Sequence, residues 1–276
     1  MPAAVSPDRP ALEVDGSPVA VRELGAGPPV LLLHGSGPGT TGWGAWAAVA
    51  EALAGRHRVI VPDQAGFGGT PFPGGAQTSR RSVWVGQARG LMAALGAPRY
   101  AVAGHSMGGA VALALAAADP ERVTRVAAVA SMGAAMALPP ALDALWAARP
   151  GGDGAARMLG LLYHDPGFVT ADVARARDAA MRAGEAAFAP LFPAPRERWV
   201  RDLTLGPDTL AAVRAPVLLV HGADDRLTPI AAAALPLLDR LPDARLHAFG
   251  RCGHVPAVER REEFIRVLAD FLEPDA

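Results

Sequence analysis

Three polar side chains with complementary proton chemistry each follow an apolar run in the sequence. Ser106 comes after the run 100–103, Asp225 after the run 217–220 and His254 after the run 244–249. A carboxylate that orients an imidazole lets the ring accept the proton of a serine hydroxyl, which makes the serine oxygen nucleophilic. The three residue types therefore indicate nucleophilic attack on a polarised carbon.

Ser106 lies in the pattern Gly104-His105-Ser106-Met107-Gly108, between an apolar run and an Ala- and Leu-rich stretch. A Gly-x-Ser-x-Gly turn from a strand into a helix exposes the hydroxyl, and the two glycines leave room for close packing. The Met107 N–H would then point toward a developing oxyanion. We expect Ser36 and Gly37 to supply the second half of this oxyanion hole, while the Ser36 hydroxyl either contacts substrate or only serves its turn.

Two neighbouring aspartates compete for the role of the acid. We prefer Asp225, because the Gly-x-x-Asp-x-x-x-Pro spacing from Gly222 matches the acid loop of α/β-hydrolases, and we expect Asp224 to face solvent or cap a turn. The chain order of serine, aspartate and histidine also resembles that of an α/β-hydrolase triad. His34, His221 and Cys252 are interpreted as structural residues.

The elements that must position these side chains alternate between strand and helix, which predicts an α/β fold with a mostly parallel sheet flanked by helices. The predicted strands are 12–14, 19–24, 29–33, 58–61, 100–103 and 123–129, the first two joined as a hairpin by Asp15-Gly16-Ser17. After residue 132 the strands stop until residue 217. We therefore predict a hydrolase core from residues 1–132 and 211–276, with a helical lid, residues 133–210, inserted after the sixth strand.

Composition narrows the function classes. The chain has 276 residues, 51% of them hydrophobic, and a net charge of −1, which gives no basic surface for nucleic acid. No run is long and apolar enough for a membrane span, and Met1–Pro10 lacks an export signal, so we expect a cytoplasmic protein. No metal-ligand spacing or nucleotide-binding glycine motif occurs, so no metal and no cofactor are expected. The expected partner is a small-molecule substrate, and a homodimer is left open.

Three longer runs carry a resemblance to a known family. They are His34–Trp43, which reads His-Gly-x-Gly-Pro-Gly-x-x-x-Trp, the run Leu246–His254, and the run Leu191–Trp199 with its Phe-Pro-Ala-Pro-Arg core. The chain resembles the meta-cleavage product hydrolases, α/β-hydrolases that cut carbon–carbon bonds in ring-fission products of aromatic catabolism. The resemblance spans nearly the whole chain. Within the family, the three runs are most similar to those of the 2-hydroxymuconate semialdehyde hydrolases.

The resemblance implies a 2-hydroxy-6-oxo-dienoate substrate with a free carboxylate. Arg177 lies in a segment similar to the family's Arg-x-x-x-Met, whose arginine binds that carboxylate, and Arg196 is the reserve candidate. Protonation of the dienol at carbon five would come first. Ser106, or a water activated by His254, would then attack the C6 ketone, and cleavage would release 2-hydroxypenta-2,4-dienoate and a small acid.

Two positions depart from the family pattern. His105 stands where the family usually has Asn, and Val255 where it usually has Trp, and both positions border the substrate pocket in that family. With His105 the turn also resembles that of ordinary esterases. A carboxylesterase or lactonase acting on a small apolar ester is therefore the alternative function, and a non-catalytic ligand-binding protein is disfavoured because all three triad positions hold competent residues.

Overall fold

A seven-stranded sheet forms the centre of the computed structural model, which describes residues 11–75 and 77–273; the predicted N-terminal stretch 1–10 lies outside them. The strands of the described residues are β1 Leu12–Val14, β2 Ser17–Val19, β3 Val21–Leu24, β4 Pro29–Leu33, β5 Arg58–Pro62, β6 Tyr100–His105, β7 Val123–Val129, β8 Val217–Gly222 and β9 Ala244–Phe249. β1 and β2 form a separate antiparallel pair, and the other seven strands form the main sheet. The sheet order is β3-β5-β4-β6-β7-β8-β9. All neighbours are parallel except β3, which runs antiparallel to β5. The α/β prediction is confirmed.

Helices cover both faces of this sheet. They are α1 Gly42–Leu53, α2 Arg80–Ala94, α3 Met107–Ala118, α4 Pro140–Ala147, α5 Gly154–Leu162, α6 Ala171–Phe188, α7 Glu197–Leu203, α8 Pro207–Ala211, α9 Ala234–Arg240, α10 Pro256–Glu259 and α11 Arg261–Leu272. A short 3₁₀ helix spans Pro166–Phe168. None of the helices within the described ranges is long and apolar enough to cross a membrane.

Successive residues of the central strands point to opposite faces, so the core has two parts. Leu31 and Leu33 pack with α2 and α3 on one face, whereas Val30 and Leu32 pack with α1 and α11 on the other. The last helix, α11, packs its apolar stripe into the second part through Phe264, Leu268, Phe271 and Leu272. Both faces of the parallel sheet are therefore buried, as such sheets require.

The predicted second strand, 19–24, is wrong as a single strand, because the chain changes partners at Ala20. Residues before Ala20 pair with β1, and residues after it pair with β5 in the main sheet. The Ala20 N–H donates to Thr70 Oγ1 at 3.0 Å, and its carbonyl accepts from Asp63 N at 2.8 Å. These two bonds fix the bend. Because the predicted second strand is replaced by β2 and β3, the strand that was predicted as the sixth is β7, and the helical insertion follows it.

The segment between β7 and β8, residues 133–210, is called the lid segment here. It contains five α-helices and the 3₁₀ helix, and no strand occurs among its residues, all of which are described. Within the lid segment Phe192 stacks on Trp146, with ring centroids 4.6 Å apart. The Phe192 ring also packs on the core, where its centroid lies 6.3 Å from that of Trp84 in α2. The predicted boundary at residue 210 falls inside α8.

Candidate active site

Ser106 occupies a strained turn between β6 and α3. Its φ of 56° lies in the region that side-chain-bearing residues rarely adopt. The turn is held from both sides, because Ser106 N donates to Val129 O at 2.8 Å and Ser106 O accepts from Met132 N at 3.1 Å. Strain that the surroundings enforce in this way is typical of functional positions.

Two glycines make this turn possible. A Cβ at Gly104 would lie 2.0 Å from Gly108 O, and a Cβ at Gly108 would lie 2.4 Å from Leu33 O. Any side chain at either position would push the helix off the sheet. The predicted reason for the Gly-x-Ser-x-Gly pattern, close packing of α3 against β6 and β4, is therefore visible in the structure.

Asp225 and His254 form a buried hydrogen-bonded pair. His254 Nδ1 lies 2.8 Å from Asp225 Oδ2, and Asp225 Oδ1 accepts from the backbone N–H groups of Leu227 and Thr228. Burial alone would raise the pKa of Asp225, but the charge and hydrogen bond of His254, with those of His221, hold it well below its usual range. The carboxylate is therefore ionised and fixes His254 with Nε2 facing away from it.

Asp224 points elsewhere. Its side chain is half exposed, and its Oδ2 lies 3.2 Å from Nδ1 of His164 in the lid segment. The geometry thus brings Asp225, and not Asp224, to the His254 ring. His34 is buried, and its Nδ1 lies 2.7 Å from Gly35 O. His221 is also buried, and its Nε2 lies 2.6 Å from Thr228 O and 3.3 Å from Asp225 Oδ2, so its ring borders the carboxylate that His254 contacts.

Ser106 and His254 open onto a cavity of about 390 Å³ between the sheet edge and the lid segment. Leu159, Leu162 and Tyr163 form part of its lid wall, and all five side chains line the same space. Among the described residues no hydrogen bond joins Ser106 Oγ to His254 Nε2. A hydrogen bond between a nucleophile and its base often tightens only in a substrate complex. The shared cavity is therefore what places the two side chains within reach of one ligand.

Arg177 reaches this cavity from α6. Its guanidinium makes two long hydrogen bonds to neutral oxygens, Pro38 O at 3.3 Å and Thr40 Oγ1 at 3.4 Å. No carboxylate in the described ranges lies within ion-pair distance of it. Burial lowers the pKa of Arg177, and the nearby Tyr163 opposes that shift, but a guanidinium stays protonated at neutral pH. The cavity therefore contains a cation without an anionic partner from the described chain.

Arg196 does not join this group. Its Nη1 pairs with Asp143 Oδ1 at 2.9 Å, and its Nε donates to Phe192 O at 3.0 Å. It is not among the residues that line the cavity. The Phe-Pro-Ala-Pro-Arg run thus ties two lid helices, α4 and α7, to each other.

The groups expected to form the oxyanion hole belong to the start of α3 and to the turn after β4. Met107 is the first residue of α3, so its N–H has no acceptor within the helix. Ser36 and Gly37 line the cavity, and Ser36 Oγ accepts from Trp146 Nε1 at 2.8 Å. Because that bond uses a lone pair of Ser36 Oγ, the hydroxyl hydrogen is left to donate. Neither Trp146 nor the cavity residue Tyr163 was found by sequence reasoning, since their roles depend on how the lid folds back.

Cys252, close to His254 in the sequence, is fully buried. Burial and the neighbouring Glu259 raise the pKa of the Cys252 thiol to about 12. A thiol is nucleophilic only as thiolate, so Cys252 is inert at neutral pH. Within the residues that the structure describes, no group of three or more His, Cys, Asp or Glu side chains could hold a metal ion.

Comparison with known proteins places this geometry in a family. The family model described as alpha/beta hydrolase fold matches residues 28–260. A 2-hydroxy-6-oxo-2,4-heptadienoate hydrolase from Pseudomonas putida is 39% identical over 91% of each chain. A 2-hydroxymuconate semialdehyde hydrolase from a Pseudomonas species is also 39% identical, over 93% of this chain and 91% of its own. A solved meta-cleavage product hydrolase from Pseudomonas fluorescens superposes with a TM-score of 0.90 at 32% identity, covering 95% of this chain and 96% of its own.

The chain belongs to the meta-cleavage product hydrolases. The resemblance predicted from the three sequence runs is therefore confirmed, and so is the α/β-hydrolase fold. As a member of this family the protein is a hydrolase of small molecules. The two departures from the family pattern now have places in the structure, because His105 and Val255 both line the cavity.

In this meta-cleavage product hydrolase the His105 ring contacts the backbone of His254. His105 Nε2 lies 2.8 Å from His254 O, so Nε2 carries the proton and donates it to the carbonyl. Burial, and next the charge of His254, lower the pKa of His105 to about 3. The ring is therefore neutral at pH 7, with Nδ1 unprotonated beside Gly35.

We expect His105→Ala to lower kcat about five- to tenfold, since one buried hydrogen bond contributes about 1 kcal/mol. A neutral His105 does not titrate between about pH 5 and 9. Across that range the acidic limb of the kcat/KM profile of His105→Ala should therefore lie at the same pH as that of the wild type. Steady-state rates across that range give both results. His247→Ala, on the half-exposed strand β9, is the matched control, and a limb that moves in His105→Ala alone would contradict a neutral His105.

Proposed function

We propose that the protein hydrolyses the C5–C6 bond of a 2-hydroxy-6-oxo-dienoate, with Ser106, His254 and Asp225 as its catalytic triad. The observation that carries the substrate class is the Arg177 guanidinium, which faces the same cavity as Ser106 and has no carboxylate partner in the described residues. A half-buried cation that faces a cavity favours an anionic ligand, and a carboxylate matches its planar fork. The relatives named for dienoate hydrolysis support the same class.

The chemistry starts with the carboxylate on Arg177. The 2-hydroxyl of the dienol loses its proton while C5 gains one, which gives a 2,6-dioxo form with a tetrahedral C5. This step turns C5 into a leaving group, because the electrons of the C5–C6 bond can later delocalise onto the 2-oxo group. No cofactor is required for it.

Ser106 then attacks the C6 ketone. His254 accepts the Ser106 proton through Nε2, and Asp225 stabilises the resulting imidazolium. The oxyanion on C6 accepts hydrogen bonds from the N–H of Met107 and from the Ser36-Gly37 turn. Collapse of the tetrahedral intermediate at C6 breaks the C5–C6 bond. The dienolate that leaves takes a proton and becomes 2-hydroxypenta-2,4-dienoate. Water then releases the C6 acyl group from Ser106 as a small acid.

A second candidate is hydrolysis of a small apolar ester. It is favoured by the Gly-His-Ser-Met-Gly turn and by Val255, which leaves the cavity without the large side chain usual there. The same triad and oxyanion hole would serve an ester. An ester, however, makes no use of the cation at Arg177.

Arg177→Gln separates the two candidates. On a dienoate the loss of a buried, charge-assisted contact should cost roughly 2 to 4 kcal/mol in kcat/KM, whereas a neutral p-nitrophenyl ester should change little. Arg177→Lys should recover only part of the loss, because an ammonium offers no planar fork. Kinetics on both substrates give the comparison.

Arg175→Gln is the matched control, because Arg175 lies on the same helix, exposed and paired with Asp172. Equal losses of Arg177→Gln on both substrates would mean lid damage. A full dienoate rate in Arg177→Gln would remove Arg177 from the site.

Two further expectations stay predictions. A cytoplasmic location fits a bacterial catabolic hydrolase, and a homodimer is the assembly that the sequence left open. Fractionation of cells and light scattering of the purified protein test them.

A further inference from the structure

Glu259, at the C-terminal end of α10, is a buried carboxylate held by backbone N–H groups. It is only 9% exposed. Its Oε1 accepts from Gly253 N at 2.7 Å, and its Oε2 accepts from His164 N at 2.8 Å and Asp165 N at 3.2 Å. One carboxylate therefore bridges the residue before His254 and the lid segment just after α5.

The lid and the catalytic histidine position also touch directly. His254 N donates to Leu162 O at 2.7 Å. A Cβ at Gly253 would lie 2.5 Å from the same Leu162 oxygen, so the two backbones are packed in contact. Leu162 and Tyr163 form part of the cavity wall. The segment that shapes the cavity is thus joined by its backbone to the segment that carries His254.

We propose that Glu259 is a positioning residue that locks the lid edge, residues 160–165, to the histidine loop, residues 250–255. The coupling would let the position of the cavity wall set the position of His254. This inference rests on the proposed function for the role of His254 as the base.

Only a side chain with two acceptor oxygens can make both connections. An amide has one acceptor oxygen, and its NH₂ group would face N–H donors. Whichever way the amide is turned in Glu259→Gln, either Gly253 or the pair His164 and Asp165 loses its acceptor. The substitution keeps the size of the side chain and breaks the bridge, which separates coupling from packing.

The test compares Glu259→Gln with Glu262→Gln, a matched change at an exposed position of α11. The first readout is the rate at which a fluorophosphonate labels Ser106, which needs the histidine base but no particular substrate. The second is hydrogen exchange of the peptides covering 160–165 and 250–255. We expect Glu259→Gln to label about tenfold more slowly and to exchange about tenfold faster in both segments, with α2 unchanged, because a buried N–H that loses its acceptor destabilises the backbone that the bridge holds.

Wild-type labelling by Glu259→Gln, or faster exchange in one segment only, would overturn the coupling. If Glu259→Gln does not fold, Glu259→Asp is used: it keeps the charge on a side chain too short to reach both partners, and the same joint change is expected. A wild-type protein that is not labelled would instead count against the triad, and the exchange experiment would still decide the coupling.

Discussion

Replacing Ser106 or His254 by alanine is expected to lower turnover of the dienoate at least about 10³-fold, with the fold intact. Ser106 Oγ and the His254 ring line one cavity, and His254 is oriented by its 2.8 Å contact to Asp225. Nucleophile and base act as a unit, so the double variant should be little worse than either single one.

Steady-state kinetics measure these losses, and circular dichroism with thermal melting checks the fold. The strained backbone at Ser106 adds a control, because Ser106→Ala removes only the hydroxyl and keeps the turn. Near-normal rates in both single variants would remove the triad assignment.

The second large effect is expected at Asp225. Asp225→Asn should be nearly as damaging as loss of His254, because an amide does not stabilise the imidazolium and permits the wrong tautomer. Asp224→Asn should stay within about a few fold of wild type, since Asp224 is half exposed and contacts His164. Rates of the two variants, made side by side, provide a matched comparison at adjacent positions.

Stability offers an independent check on the same pair. Asp225 accepts two backbone N–H bonds and one from the Thr228 hydroxyl at 2.7 Å, so Asp225→Asn should also lower the melting temperature. Asp224→Asn should not. A reversed ranking of the two variants in activity would move the acid to Asp224.

The fold was predictable where local pattern and tertiary packing agree. The central strands are buried on both faces, so their apolar runs could be recognised in the sequence. The split at Ala20 was not, because it depends on bonds to Thr70 and Asp63 that lie about fifty and forty residues away along the chain.

The site divides in the same way. Ser106 lies between the two glycines that its turn requires, and Asp225 lies at a set spacing from Gly222, so local patterns predicted both residues. Tyr163 lines the cavity and Glu259 contacts both the lid segment and the histidine loop, and both placements depend on tertiary contacts that no local pattern records. Arg177 was identified through the family resemblance. The structure adds that its cationic side chain faces the cavity.

The most direct test of the central claim is a side-by-side measurement of kcat/KM for wild-type protein on 2-hydroxy-6-oxohepta-2,4-dienoate and on a short p-nitrophenyl ester. Loss of the yellow dienoate, with release of 2-hydroxypenta-2,4-dienoate and acetate, measures carbon–carbon cleavage. We predict that the dienoate is the better substrate by at least about a hundredfold, as expected if its carboxylate binds Arg177. A faster ester reaction, with no dienoate turnover, would contradict the proposal and make the protein an esterase.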